Sequence, residues 1–582
     1  MTSLDDIALP RPAAPPDDGP LDHVLYDLVE VRARRLLRDN PILATYLGIH
    51  TEDERLGDAS RDAVLQEFAD ERDHLAKIEA LDEAGLSEGA RFERDLEIHN
   101  TKLSIFETGE VRTWERRAQA LDVAGDALFL LFARDHAPLA ERLGAISARL
   151  EALPTFLEAS KSRAAVPQVR RWQQLELEAV RDVPSLFGEI QAAAEGVLVG
   201  PEAKRLDAAI AKAREVIEAY GTWIEGTLPN ANDAWALGRD RYDAFIEHRA
   251  FDGLTTDQIL EVGQEQLREQ RRLRREAALE IDPDLDEPTV IDRVKSDHPA
   301  TFDEALDVYR DDMERARAYL IEHDLATIPD DERLQVIATP EYLRRVMPFA
   351  AYFETPRFDR AGTGIYIVTP SVDDDPNAMR EHNYGSMSNT SIHEAYPGHH
   401  LQLTVGARYP SLTRLLSNAP EFVEGWGMYS EQMMREQGFD IEPKYRLVMH
   451  TDAIWRACRI ILDIRMHRGE LTPEEAVDFL VEHTAFEEPN ARAEVKRYTY
   501  TPTYQLSYLL GKVLILGLRA DEQRRRGADF RIKDFHDALL AAGSLPISFH
   551  RRLLERAASA AGTGAAIGGL EPSASGRRRA AR

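Results

Sequence analysis

Ser391 to Gln402 reads SIHEAYPGHHLQ and gathers His393, Glu394, His399 and His400 within a few residues. A surface loop has little reason to collect these groups. In the HExxH arrangement two histidines one helical turn apart bind Zn²⁺, and the glutamate beside the first activates a water on the metal. Here the fifth position is Pro397. Deleting Pro397 and Gly398 would restore HEAYH ending at His399, so the stretch reads as that motif with an insertion. On an unbroken α-helix, His393 and His399 would point about 120° apart and lie about 9 Å apart along the axis. They could then not share an ion that needs its ligands at about 2.0–2.1 Å. A wide turn or π-type bulge at Tyr396 to Gly398 would bring them together, and Pro with Gly is the composition expected at such a break. His399 is the favoured second ligand. His400 is its rival, with a substrate-facing or ligand-supporting role otherwise.

A catalytic zinc takes a third side chain as well as water. Downstream, Glu421 to Glu431 reads EFVEGWGMYSE, in which Glu424 is followed by Gly425 and Gly427. Acidic groups among apolar and aromatic ones suggest a carboxylate held at a buried site, with glycines that let another helix approach closely. Glu424 is the ligand candidate, and Glu421 or Glu431 is placed to orient a histidine. The bland alternative is an amphipathic helix with surface glutamates. Hydrolysis of an amide also needs a donor to the developing oxyanion. RYTYTPTYQLSYLLGK, Arg497 to Lys512, offers Tyr508 and Tyr498 as catalytic phenols, with Arg497 and Tyr504 as substrate-binding groups.

The rest of the chain reads as helix after helix, with apolar residues at three- and four-residue spacing among Ala, Leu, Glu and Arg. Leu21 to Leu37 and Asp257 to Leu279 are such stretches, with turns expected at Pro154, from Leu228, at Asp282 to Asp286 and at Pro329. GTGIYIVTP, residues 362–370, alternates and is β-branched, so a short strand in a small sheet is expected there. Residues 1–20 and 569–582 read as disordered tails. Between them, residues 21–568 form either a single helical catalytic domain or two lobes, which the length does not decide.

The 102 acidic against 72 basic residues give a formal net charge of -30, which repels nucleic-acid phosphate and anionic lipid. No nucleic-acid or membrane partner is expected. The single cysteine, Cys458, excludes an internal disulfide and sits in an apolar run where a buried hydrophobe is expected. The acidic, proline-rich start lacks the basic and apolar regions of a signal peptide, so a cytoplasmic location is expected.

With these residues in hand, the chain resembles the bacterial family known as domain of unknown function 885, grouped with metallopeptidase-like proteins. NPILATYLGIH from Asn40, HEAYPGHHLQ, EGWGMYSE, LTPEEAVDFL and RYTYTPTYQLSYLLGK carry the resemblance over nearly the full length. It implies a mainly α, large multi-helix zincin-like scaffold with a deep cleft, similar to helical carboxypeptidases and oligopeptidases. It also implies zinc on His393, His399 and Glu424, with Glu394 as general base and a short peptide or small amide as substrate. The same ligands would also serve a lyase, a hydrolase of a non-peptide small molecule, or a helical protein that only binds metal. Oligomeric state is not legible.

Overall fold

The computed structural model describes residues 4–12, 19–340, 344, 350–358, 362–370, 378–484 and 486–562. It is mainly helical, with one small sheet of three strands among the described residues. The two stretches read as helices are helices, Asp22–Asp39 and Thr256–Ile281. Side-chain caps begin many of them: Thr255, Thr301 and Thr472 each form a reciprocal capping box with the third helical residue, which satisfies end N–H groups that the helix cannot.

Pro154 is a correction. It lies inside the helix Leu139–Ser160 and marks no turn. A proline costs a helix interior about 3 kcal/mol, but Leu150, Leu153, Phe156 and Leu157 are all buried in one core around it. That burial outweighs the lost hydrogen bond, because each such side chain contributes roughly 1.5–3 kcal/mol. Part of the expected N-terminal tail is also packed. Leu4 is buried, and Arg34 donates to the carbonyls of Leu4 at 2.6 Å and Ile7 at 2.9 Å. The expected C-terminal tail, 569–582, lies outside the described residues. Cys458 is buried, as its apolar surroundings suggested.

The strand expected within 362–370 is Gly364–Val368 (β3). It is the centre of the sheet, parallel to Leu334–Ala338 (β1) and antiparallel to Ala350–Phe353 (β2). Both of its edges are paired, and its side chains divide by parity between two cores. Tyr366 and Val368, with Val336 of β1, enter a large core that contains Ile392, Tyr396, Leu401, Trp426 and Tyr429. Ile365 and Ile367, with Ile337 and Phe353, face a second core formed by helices between residues 120 and 227. The sheet therefore separates two hydrophobic cores and presents Gly364, Tyr366 and Tyr352 to the His393 region.

Two helices of the larger core run against each other with almost nothing between them. These are Pro420–Glu436, the carboxylate helix, and Ser507–Arg526, the tyrosine helix. A Cβ on Gly425 would sit 2.5 Å from the Gly511 carbonyl carbon, and one on Gly511 would sit 1.9 Å from the Glu421 oxygen. Glycine at both positions is what lets the two backbones touch. Among the described residues, no helix is long and apolar enough to cross a membrane.

Candidate metal centre

The motif helix Tyr384–Glu394 stops immediately after the HE pair, and a new helix, His399–Gly406, starts at the second histidine. Between them the chain makes a tight reversal that includes a cis Tyr396–Pro397 peptide. Gly398 donates its N–H to the Ile392 carbonyl at 3.0 Å, and the Trp426 indole donates to the Pro397 carbonyl at 2.8 Å. The break sits at the residues where the sequence placed it. Its effect is to turn the His399 ring onto His393, perpendicular to it with centroids 4.7 Å apart.

One nitrogen from each of these rings and one oxygen of Glu424 all lie within 4.8 Å of one another. The Nε2 atoms of His393 and His399 are 3.8 and 3.5 Å from Glu424 Oε2. Those separations exceed a good hydrogen bond. They match the roughly 3.3 Å expected between ligands about 2.0–2.1 Å from a tetrahedral ion. The remaining nitrogen of His393, Nδ1, is 2.7 Å from Glu431 Oε1, the carboxylate support that fixes a ligating imidazole's tautomer. Glu431 is held in turn by Asn389 at 2.9 Å. His399 Nδ1 is buried without a hydrogen-bond partner. The donor set and its spacing thus fit a divalent cation such as zinc.

The electrostatics agree with this. Burial opposes a charge on His393, yet the Glu424 and Glu431 carboxylates outweigh it and push its pKa up to about 10. An incoming cation would displace that proton. Burial likewise opposes ionisation of Glu424, but His393 and His399 hold its carboxyl well below the usual range. Gly427 makes room for the first ring, since a Cβ there would lie 2.6 Å from His393 Cε1.

His400 does not share this cluster. Its side chain is fully buried, with Nε2 at 2.8 Å from Glu332 and Nδ1 at 3.0 Å from the Tyr352 hydroxyl of β2. Gly364 leaves space for that pair, because a Cβ there would lie 2.8 Å from His400 Nδ1. Burial works against ionisation of Glu332, but bonds from His400 and Tyr396 bring its pKa down to about 2. Glu394 follows His393 and is partly exposed. Among the described residues nothing hydrogen-bonds its carboxylate.

The stretch 498–508 is not one helix, and this sets where its tyrosines lie. A helix ends at Tyr498, Thr503 adopts φ +68°, and a short 3-10 turn, Tyr504–Leu506, precedes the tyrosine helix. Tyr504 becomes the residue that reaches the centre, donating to Glu424 Oε1 at 2.8 Å. The Glu424 charge and then burial raise its pKa well above the ordinary phenol. Tyr508 packs perpendicular to Tyr504, with centroids 5.9 Å apart. Tyr498 is elsewhere: its hydroxyl donates to Glu494 at 2.8 Å and lies beside Trp455 and Arg459. Arg497 is also committed to Glu494, at 3.0 Å. Glu421, the other candidate for orienting a histidine, pairs instead with Arg249 at 3.1 Å. Replacing Tyr504 by Phe is expected to weaken zinc binding by about 10–100-fold, as loss of a ligand's hydrogen-bond partner does. Competition with a chromogenic chelator measures it, and unchanged affinity would remove Tyr504 from this role.

Asn389, Asp452 and Glu332 were not legible as site residues. Glu332 lies in a turn ahead of β1, with no local pattern tying it to His400. A second group, His50, Asp53 and His136, also draws three possible ligand atoms together. Its rings are stacked 3.7 Å apart and within 1° of parallel. A shared ion would lie about half that separation outside each ring plane, whereas imidazole lone pairs lie in the plane. Asp53 accepting from both histidines is the better account.

No curated protein matches the chain. Among the solved structures that share its fold are two bacterial proteins. One, a "putative lipoprotein of unknown function" from Shewanella oneidensis, aligns with a TM-score of 0.74 at 22% identity, covering 91% of this chain and 99% of that one. The other, a "putative lipoprotein" from Colwellia psychrerythraea, has a TM-score of 0.81 at 18% identity, covering 92% and 99%. At such identities the likeness speaks to fold alone. The sequence pattern of one family spans residues 41–554, and the chain belongs to that family, described as bacterial protein of unknown function, DUF885.

Proposed function

We propose that the protein is a zinc-dependent hydrolase that cleaves amide bonds of short peptides, on a zincin-like helical scaffold whose cleft admits small substrates. The observation that carries this reading is the trio His393, His399 and Glu424, spaced for one ion, with the adjacent Glu394 carboxylate left unspent. A divalent cation held there would supply a Lewis acid that polarises a carbonyl and acidifies water. Glu394 takes a proton from the attacking water as its oxygen bonds to the carbonyl carbon. It then delivers that proton to the amide nitrogen as the C–N bond breaks. Glu431 keeps the proton of His393 on Nδ1, leaving Nε2 as the ligand atom. Tyr504 fixes the Glu424 carboxylate, and Tyr508, packed against it, is assigned to the oxyanion.

The formal charge of -30 argues against nucleic acid as substrate. The test is incubation of the purified, zinc-loaded protein with a mixture of dipeptides and tripeptides, reading released amines. Hydrolysis that stops on chelation and returns with zinc is expected. No release with any divalent metal would sink the peptidase reading and favour a lyase or a hydrolase of a non-peptide small molecule.

A further inference from the structure

Beside Tyr508 the side chains turn positive. Arg456 and Arg459, on the helix Pro443–His467, gather with Arg497 around Trp455 and Tyr508. The guanidinium carbons of Arg456 and Arg459 lie 3.8 and 4.0 Å from the Trp455 ring centroid, and 5.9 and 4.8 Å from that of Tyr508. Glu494 answers two of these cations, Arg459 at 2.9 Å and Arg497 at 3.0 Å. Arg456 is left with Asp452, an ion pair at 3.5 Å, and its Nε and Nη1 have no hydrogen-bond acceptor. Burial pushes the Asp452 carboxyl up, against the pull of Arg456.

Arg456 is linked to the metal centre from two directions. Through Asp452 it meets Asn389, whose amide donates to Asp452 at 3.1 Å and to Glu431 at 2.9 Å, and Glu431 holds His393. Through Tyr508 it meets Tyr504, which holds Glu424. Three guanidinium groups here face two carboxylates, Glu494 and Asp452, while Glu431 is spent on His393 and Asn389. Arg456 sits over the Trp455 indole, and donors kept out of water without acceptors are costly unless a ligand supplies them. Arg is also the side chain whose planar fork matches a carboxylate.

We propose that Arg456, flanked by Tyr508, is the anchor for a free carboxylate on the substrate. The scissile amide then belongs to a short peptide or an N-acyl amino acid with an unblocked carboxyl end. This rests on the hydrolase reading and narrows it to cleavage close to a chain terminus. It also moves the anchoring role from Arg497, which Glu494 occupies, to a residue with no motif of its own.

The experiment measures binding separately from turnover. Zinc-loaded, full-length Glu394→Gln protein is titrated calorimetrically with glycyl-leucine, glycyl-leucinamide and N-acetyl-leucine. The free acid is expected to bind about tenfold or more tighter than the amide, the scale of one charge-assisted hydrogen-bonded pair. Adding Arg456→Gln should bring acid and amide within about twofold of each other, and Arg456→Lys should restore part of the gap. N-acetyl-leucine identifies the source: binding equal to glycyl-leucine points to N-acyl amino acids, and weaker binding to peptides with a free amine. Acid and amide binding alike, or a gap that survives Arg456→Gln, overturns the anchor. If Arg456→Gln fails to fold by circular dichroism, the acid–amide gap and the Lys variant decide. Equal wild-type turnover of glycyl-leucine and its amide refutes the anchor and leaves the hydrolase. A carboxylate gap lost in Arg456→Gln, without cleavage of any peptide, refutes the hydrolase and leaves the anchor.

Discussion

Glu394→Gln is expected to keep its zinc and lose about two to four orders of magnitude in turnover, whereas His393→Ala is expected to lose the zinc itself. The two residues are neighbours, so position alone would not separate them; their surroundings do. His393 is buried, with Nδ1 on Glu431 at 2.7 Å and Nε2 turned toward Glu424 at 3.8 Å, so deleting its ring removes a ligand atom. Glu394 is partly exposed, and its carboxylate holds neither of the other groups. Gln fills the same volume without a basic oxygen, so the change strikes proton transfer and spares the cation. Glu424→Ala should resemble His393→Ala, and each should weaken zinc by more than the roughly 10–100-fold that follows removal of an outer partner such as Glu431. Metal content by elemental analysis, with initial rates on one peptide, separates the classes. Equal metal loss in Glu394→Gln and His393→Ala would overturn the roles, and equal weakening by Glu431→Ala and Glu424→Ala would overturn the ligand assignment.

What the sequence made legible follows from how local each signal is. The motif helix, its break at Pro397 and Gly398, the carboxylate helix and β3 were readable because each is written in adjacent residues. Glu431 was readable only as one of two candidate partners of a histidine, since Glu421 shares the same helix with Glu424. At 498–508 the geometry was not legible, because Thr503 in the left-handed region turns Tyr504 toward Glu424 and leaves Tyr498 beside Glu494. Pro154 misled, because packing around it outweighs its local preference. Glu332, Asn389, Asp452 and Arg456 were beyond reach, since each meets its partner only once distant segments have packed. His400 shows the same limit: the sequence favours His399 as the ligand, but the place of its neighbour is set only when Glu332 and Tyr352 claim it.

The break itself is the most exposed point of the arrangement, and Gly398→Ala should show it. A Cβ there would lie 1.8 Å from the His393 carbonyl oxygen and 2.3 Å from that of Ile392. Both are backbone atoms, so no rotamer relieves the clash. The reversal is also pinned from both sides, by the Gly398 N–H on Ile392 and by Trp426 on the Pro397 carbonyl. The methyl group must therefore push His399 away from His393 or unwind the end of the motif helix. The expected cost is at the upper end of the roughly 1–3 kcal/mol usual for overpacking, or beyond it, with zinc affinity falling by more than the about 100-fold that marks the limit for an outer partner. Gly144→Ala is the control, since a Cβ at Gly144, inside the helix Leu139–Ser160, meets nothing within 4 Å. It should stabilise by about 0.5–1 kcal/mol through helix preference alone. Thermal melting by circular dichroism and chelator competition read both variants. A Gly398→Ala protein with wild-type melting and wild-type zinc affinity would mean that the close approach of His399 to His393 is not what builds the site.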